Sequence, residues 1–147
     1  MIRVQIANHQ TAVPVDRRKL RRAVRVVLQG DGIDEADISL AVVDDAEIRC
    51  LHRRYLRDDE PTDVLSFLLD RSAEGLEGEI VVSGETAFRV ARRYGWTAAQ
   101  ELLLYVIHGC LHLAGWNDDT PRKRAEMSNR QRDYFARLDR LGRTSEK

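Results

Sequence analysis

The sequence predicts an α/β (α+β) fold: four strands and about five helices, one of them buried at the centre. Three observations predict the elements. Apolar and polar residues alternate at Ile2, Val4, Ile6 and again at Ile38, Leu40, Val42, the period of half-buried strands. Two short continuous apolar runs, Val64 to Leu69 and Ile80 to Val82, read as further, buried strands. The remaining segments repeat apolar residues at helical spacing.

Taken in order, the first strand gives way at Pro14 and Asp16 to a helix. Its inner face is Leu20, Ala23, Val24, Val27 and Leu28, and Gly30 closes it. After the second strand, Asp44 and Glu47 form an acidic capping pair for a helix that turns Ile48, Leu51 and Tyr55 inward and ends before Pro61. The stretch 70–78 holds Ser, Gly and acids, so it predicts an antiparallel connection between the third and fourth strands. Ser83 caps a third helix with Ala87, Val90, Ala91 and Tyr94 inside and Gly95 at its end. Thr97 and Gln100 make a capping box. The helix they open is apolar nearly all round, which predicts burial. Gly115 ends it, and Pro121 opens a last helix with Met127, Tyr134, Leu138 and Leu141 inward.

The chain has 147 residues, which fits one domain spanning 1–147, since domains cluster around ~100–150 residues. With 24 basic and 24 acidic residues the net charge is zero, which excludes a uniformly basic nucleic-acid binder but not a local patch. No apolar run approaches the ~18 residues of a membrane span, and MIRVQIANHQ is not a signal peptide. Cys50 and Cys110 form no disulfide framework and suit a reducing cytoplasm. Arginine outnumbers lysine 21 to 3, as base composition in a GC-rich genome or phosphate recognition would each produce.

The chemistry concentrates in the buried helix. His108 and His112 stand four residues apart, so both rings leave one face a turn apart and can reach one metal ion. Gly115 lets the chain turn, and Asp118 follows six residues after His112 as a third ligand, with Asp119 competing. The pattern His108, His112, Gly115, Asp118 matches the metzincin protease motif H-E-x-x-H-x-x-G-x-x-H with two changes. Gly109 stands where the protease has its general base, which argues against peptide hydrolysis. Asp118 replaces the third His and still leaves an accepted two-His, one-carboxylate zinc shell. Two uncompensated imidazoles in a buried helix would be costly unless something occupies them.

Around these residues the sequence resembles the bacterial YbeY family of rRNA maturation factors. His108-Gly-Cys-Leu-His112-Leu-Ala-Gly115-Trp116 is similar to its H-G-x-L-H-L-x-G-[YW]-D-H signature. Pro61-Thr62-Asp63-Val64-Leu65-Ser66-Phe67 resembles its P-T-[DN]-V-L-S-F segment, and Gly78 to Ser83 its G-D-I-x-I-S strand. The resemblance covers nearly the whole chain. It implies that the strands join in a small mixed four-stranded sheet, with further helices around a central metal-bearing one. It also implies a zinc-dependent endoribonuclease of the bacterial cytoplasm, acting on rRNA in 3′-end maturation of the small subunit and in ribosome quality control. The implied partners are rRNA, the small ribosomal subunit and its assembly proteins, with no membrane and no DNA. Two positions depart from the family. Asp118 stands where a third His is usual, which makes a bound metal less electrophilic. The family's Y-R-G reads Tyr55-Leu56-Arg57 here, so its phosphate-side arginine aligns with Leu56 and Arg57 is the candidate to take over as phosphate clamp.

Several residues carry two readings. Asp63 either holds a metal-ligating histidine from behind or caps a turn. Trp116 either stacks a base or caps the core. The cluster Arg17, Arg18, Lys19, Arg21, Arg22 and Arg25 is either a solvated helix face or a strip for RNA. Cys110 points away from the histidines as a core thiol, and Ser66 and Thr62 have no base to make them nucleophiles. Three functions follow: a metal-dependent ribonuclease, a metal-dependent hydrolase of another substrate, or a ribosome-assembly module with a structural metal.

Overall fold

The computed structural model describes residues 1–56 and 62–145. Its elements are β1 (Ile2–Asn8), α1 (Arg17–Gly30), β2 (Ala36–Val43), α2 (Asp45–Leu56), β3 (Val64–Ser72), β4 (Gly75–Ser83), α3 (Gly84–Tyr94), α4 (Ala98–Leu113) and α5 (Pro121–Ser145). The four strands form one sheet in the order β1-β2-β4-β3. β1 pairs β2 and β2 pairs β4 in parallel, whereas β3 and β4 form an antiparallel hairpin. The predicted mixed sheet and helix count agree with this arrangement.

Helix ends follow the predicted chemistry. Asp16 accepts from the Lys19 N–H, Asp44 from Glu47, and Ser83 from Thr86. Thr97 and Gln100 exchange both bonds of the capping box. Each satisfies donors that the first turn leaves free. Pro121 opens α5, where its missing N–H costs nothing.

Side-chain alternation divides the core between the two faces of the sheet. Ile38, Leu40, Val42, Ile80 and Val82 pack with α1, α4 and α5 in the larger core. Val43 and Val81 point the other way, to Ile48 of α2 and to Leu65. β4 is therefore buried on both faces at Ile80–Val82, which explains the continuous apolar run. α4 packs against α1, α3, α5, β3 and β4, and Val106, Ile107, Cys110 and Leu111 have no exposure.

Four expectations need correction. Stretch 70–78 is mostly strand rather than connection, because Leu76 and Gly78 are buried between exposed Glu77 and Glu79 and only 73–74 link the strands. β3 is not buried throughout: it is the outer strand, a register shift falls between Leu68 and Asp70, and Leu68 and Leu69 are half exposed. Tyr55 and Tyr94, read as inward, are 58% and 74% exposed; each lies in the last turn of its helix, where Tyr55 meets Phe67 of the sheet in a T-shaped contact, 5.6 Å between ring centroids. Gly30 is still helical; the left-handed residue beyond α1 is Gly32 at φ 84°. Arg57, Pro61 and the side chain of Leu141 lie outside the described residues.

Candidate metal centre

α4 carries His108 and His112 on its half-buried side, beside β3. Its close seat on the sheet depends on Gly109. A Cβ there would lie 2.8 Å from Ile80 Cγ2 and 3.4 Å from Val64 Cγ2. The position that carries the general base in metzincin proteases is thus pressed against the sheet, with no room for a carboxylate. Cys110 is fully buried and burial pushes its thiol pKa up, as a core thiol requires.

Both imidazoles are held from behind. His112 Nδ1 lies 3.1 Å from the Trp116 carbonyl oxygen and His108 Nδ1 lies 2.8 Å from Gln131 Oε1. Carbonyl oxygens only accept, so each ring donates from Nδ1 and presents a bare Nε2. Those two Nε2 atoms are 3.0 Å apart. Bare lone pairs at that distance repel unless a cation or a shared proton lies between them. Protonation is disfavoured at His112, whose pKa is lowered by burial and by neighbouring His108, against the opposing pull of Asp118, the Trp116 carbonyl and Asp119. A metal ion would satisfy both nitrogens.

The chain supplies a third donor. Ligand atoms of His108, His112 and Asp118 all lie within 4.8 Å of one another. Gly115 makes this return possible: its φ of 108° is open to glycine and strained for other residues. Of the two acids weighed in the sequence, Asp118 is the one brought to the pair. Asp119 bears on His112 through its charge, and its N–H is tied to Asn117 Oδ1 at 3.3 Å. The donor set suits a divalent ion such as zinc and leaves a coordination position open. A groove of about 300 Å³ runs past the pair, lined by Val64, Leu65, Ser66, Leu68, His108, His112 and Leu113.

Other candidates fall elsewhere. Asp63 is exposed and acts electrostatically on Glu101 and Tyr105, while its backbone carbonyl accepts from Ser83. The place behind the histidines that the sequence offered to Asp63 is taken by Gln131 and the Trp116 carbonyl. Trp116 packs on the core and donates from Nε1 to Asp31 at 2.9 Å, the capping role. Thr62 Oγ1 donates to the Val64 carbonyl, and Ser66 lines the groove. In the basic cluster of α1, Arg17, Arg21 and Arg25 donate to the carbonyls of Ile6, Val4 and Ile2. That half of the cluster serves the sheet edge, a role neither reading had given it. Gln131 was missed although a signal existed: it falls on the inward stripe Met127, Tyr134, Leu138 at spacings of four, three and four, a polar residue on an apolar face.

Comparison with known proteins places the chain in a family. The family model for endoribonuclease YbeY matches residues 5–139. Endoribonuclease YbeY of Moorella thermoacetica is 38% identical over 146 residues, covering 89% of this chain and 94% of the relative. Endoribonuclease YbeY of Chloroherpeton thalassium is 38% identical over 120 residues, covering 82% and 84%. The solution structure of TM1509 from Thermotoga maritima superposes with a TM-score of 0.67 at 27% identity, covering 99% of this chain and 93% of that one. A family-model match over residues 5–139 and relatives 38% identical over most of both chains make this chain a member of the endoribonuclease YbeY family.

Proposed function

We propose that this chain is an endoribonuclease of rRNA processing, a single domain over 1–147 in which His108, His112 and Asp118 hold one zinc ion. The observation that carries the reading is the convergence of three donors: His108 Nε2 and His112 Nε2 lie 3.0 Å apart with a carboxylate of Asp118 in reach. When bound, such an ion supplies Lewis-acid stabilisation of a phosphoryl oxygen and lowers the pKa of water. The protein's own part is to orient and to bind. Gln131 and the Trp116 carbonyl fix the ring tautomers. The groove between α4 and β3, open along the histidines, gives a strand of RNA a path to them. Arg57, next in sequence after Leu56, is assigned the phosphate clamp, for which a guanidinium fork is suited. The substrate is RNA of the small ribosomal subunit, and the compartment is the bacterial cytoplasm. No helix among the described residues is long and apolar enough to cross a membrane, and Cys50 and Cys110 are free thiols.

The test uses untagged protein and a single-stranded RNA labelled at both ends. About one zinc per chain, with cleavage lost in His112→Ala while RNA binding persists, is the expected result. Metal content that stays the same in Asp118→Ala would remove Asp118 from the ligand set. RNA that is bound but never cut by the zinc-loaded parent would leave the assembly-module reading in its place. Product ends decide the nucleophile: a 2′,3′-cyclic phosphate means attack by the RNA 2′-hydroxyl.

A further inference from the structure

We infer that Gln131 is a positioning residue for the metal centre, so that α5 completes a site whose histidines α4 carries; the inference rests on the metal reading above. His108 and His112 are held in two different ways. His112 leans on a backbone carbonyl of its own helix end, which no substitution at position 116 removes. His108 depends on a side chain from another element, 23 residues on, at 2.8 Å. That side chain is set firmly. Gln131 is half-buried between Met127 and Tyr134, which are 2% and 6% exposed, and Tyr134 Oη donates to Asp31 at 2.8 Å. The rotation of α5 about its axis is fixed by those anchors, so the amide oxygen is presented to His108 by packing rather than by the chance rotamer of a surface residue.

The amide has a second consequence. It orients the ring without adding charge, in a centre where Asp118 already brings one carboxylate. A carboxylate in its place would hold His108 Nδ1 through a charge-assisted bond and make Nε2 a stronger donor. A methionine of similar length would fill the space without accepting a hydrogen bond, freeing both the ring rotation and the tautomer.

The experiment measures zinc and cobalt(II) affinity by competition with a chromophoric chelator, on untagged parent, Gln131→Met and Gln131→Glu. Thermal melting of the metal-free proteins accompanies it. Gln131→Met is expected to bind either metal about 10–100-fold more weakly, and Gln131→Glu at least as tightly as the parent, with metal-free melting little changed. An affinity for Gln131→Met within about threefold of the parent overturns the inference, and so does a parallel loss in Gln131→Glu, which keeps the acceptor. Lowered metal-free melting with unchanged affinity would make Gln131 a strut between α4 and α5 and nothing more. If Gln131→Met fails to fold, Gln131→Asn replaces it, too short to reach the ring and expected to bind weakly. A parent that takes up neither metal sinks the metal reading itself, an outcome distinct from the others.

Discussion

Asp45 Oδ1 accepts hydroxyl donors from Ser83 and Thr86, both at 2.6 Å, while Oδ2 pairs with Arg89 at 2.8 Å. One carboxylate in the first turn of α2 thus ties that helix to the start of α3. Partial burial raises its pKa, but the three hydrogen bonds and the Arg89 charge outweigh this and leave it below the ordinary 3.8. The folded state therefore favours the carboxylate, and its stabilisation is present above the unfolded value and lost as pH falls through the folded one. Asp45→Asn should lower stability at neutral pH and flatten the acid limb of a pH–melting curve below about pH 4. Glu101 behaves in the opposite sense. It is 5% exposed, and burial, with the nearby Asp63, raises its pKa. Its stabilisation is present below the unfolded value and lost as pH rises through the folded one. Glu101→Gln should therefore raise the melting point at neutral pH, with the gain vanishing in acid; an equal gain at all pH values would refute the burial argument. At Gly109, alanine would gain about 1 kcal/mol of helix propensity but meet Ile80 at 2.8 Å, and overpacking costs about 1–3 kcal/mol. Urea unfolding of Gly109→Ala should show no gain and a net loss of up to about 2 kcal/mol. These residues divide by legibility. Ser83 was readable as a cap because capping is local. Asp45, 38 residues from Ser83, was not.

The outer edge of β1 is protected by an arginine ladder. Arg17, Arg21 and Arg25 lie one helical turn apart on α1 and reach the carbonyls of Ile6, Val4 and Ile2, two residues apart on β1. The two rises, four residues of helix and two of strand, are both about 6–7 Å, so three side chains match three acceptors. An unpaired edge is a template for another strand, and charged donors placed on it block that pairing. Replacing all three arginines with serine should increase concentration-dependent association measured by light scattering. At the other end of α1, Asp31 gathers Trp116 Nε1 at 2.9 Å, Tyr134 Oη at 2.8 Å and Arg130 at 3.4 Å, with its own side chain 9% exposed. This cluster locks α1, the loop after α4 and α5 together. Asp31→Ala strands the buried Tyr134 hydroxyl, the half-buried Trp116 indole N–H and an arginine, and should cost about 2–4 kcal/mol in denaturant unfolding. At this scale the sequence read helix faces well where the pattern was long. It failed at helix ends: Tyr55 and Tyr94 continue the apolar period into last turns that the core no longer covers.

Across the whole molecule, three elements meet at one place: α4 gives two histidines, the turn after it gives Asp118, and α5 gives Gln131. A ligand that binds only this assembled state stabilises it by mass action, about 2.7 kcal/mol at a hundredfold excess over its dissociation constant. For a chain of this length that corresponds to roughly 5–10 °C. Chelator treatment followed by zinc addition should therefore lower and then restore the melting temperature, and Asp118→Ala should shrink the shift. A melting point indifferent to both would leave the histidine pair without a metal.

The sequence by itself determined the elements, their caps and the candidate ligand triad, because each is encoded at short range. A capping box spans four residues, an amphipathic face repeats within a turn, and His108, His112 and Asp118 lie within eleven residues on one helix and its following turn. Only the tertiary structure decided how the four strands pair and what stands behind the two histidines. Gln131, Asp31 and the arginine ladder act across 11 to 103 residues, between elements whose relative placement depends on the assembled core. Local periodicity shows that a face is buried; it does not name the atom that face will meet.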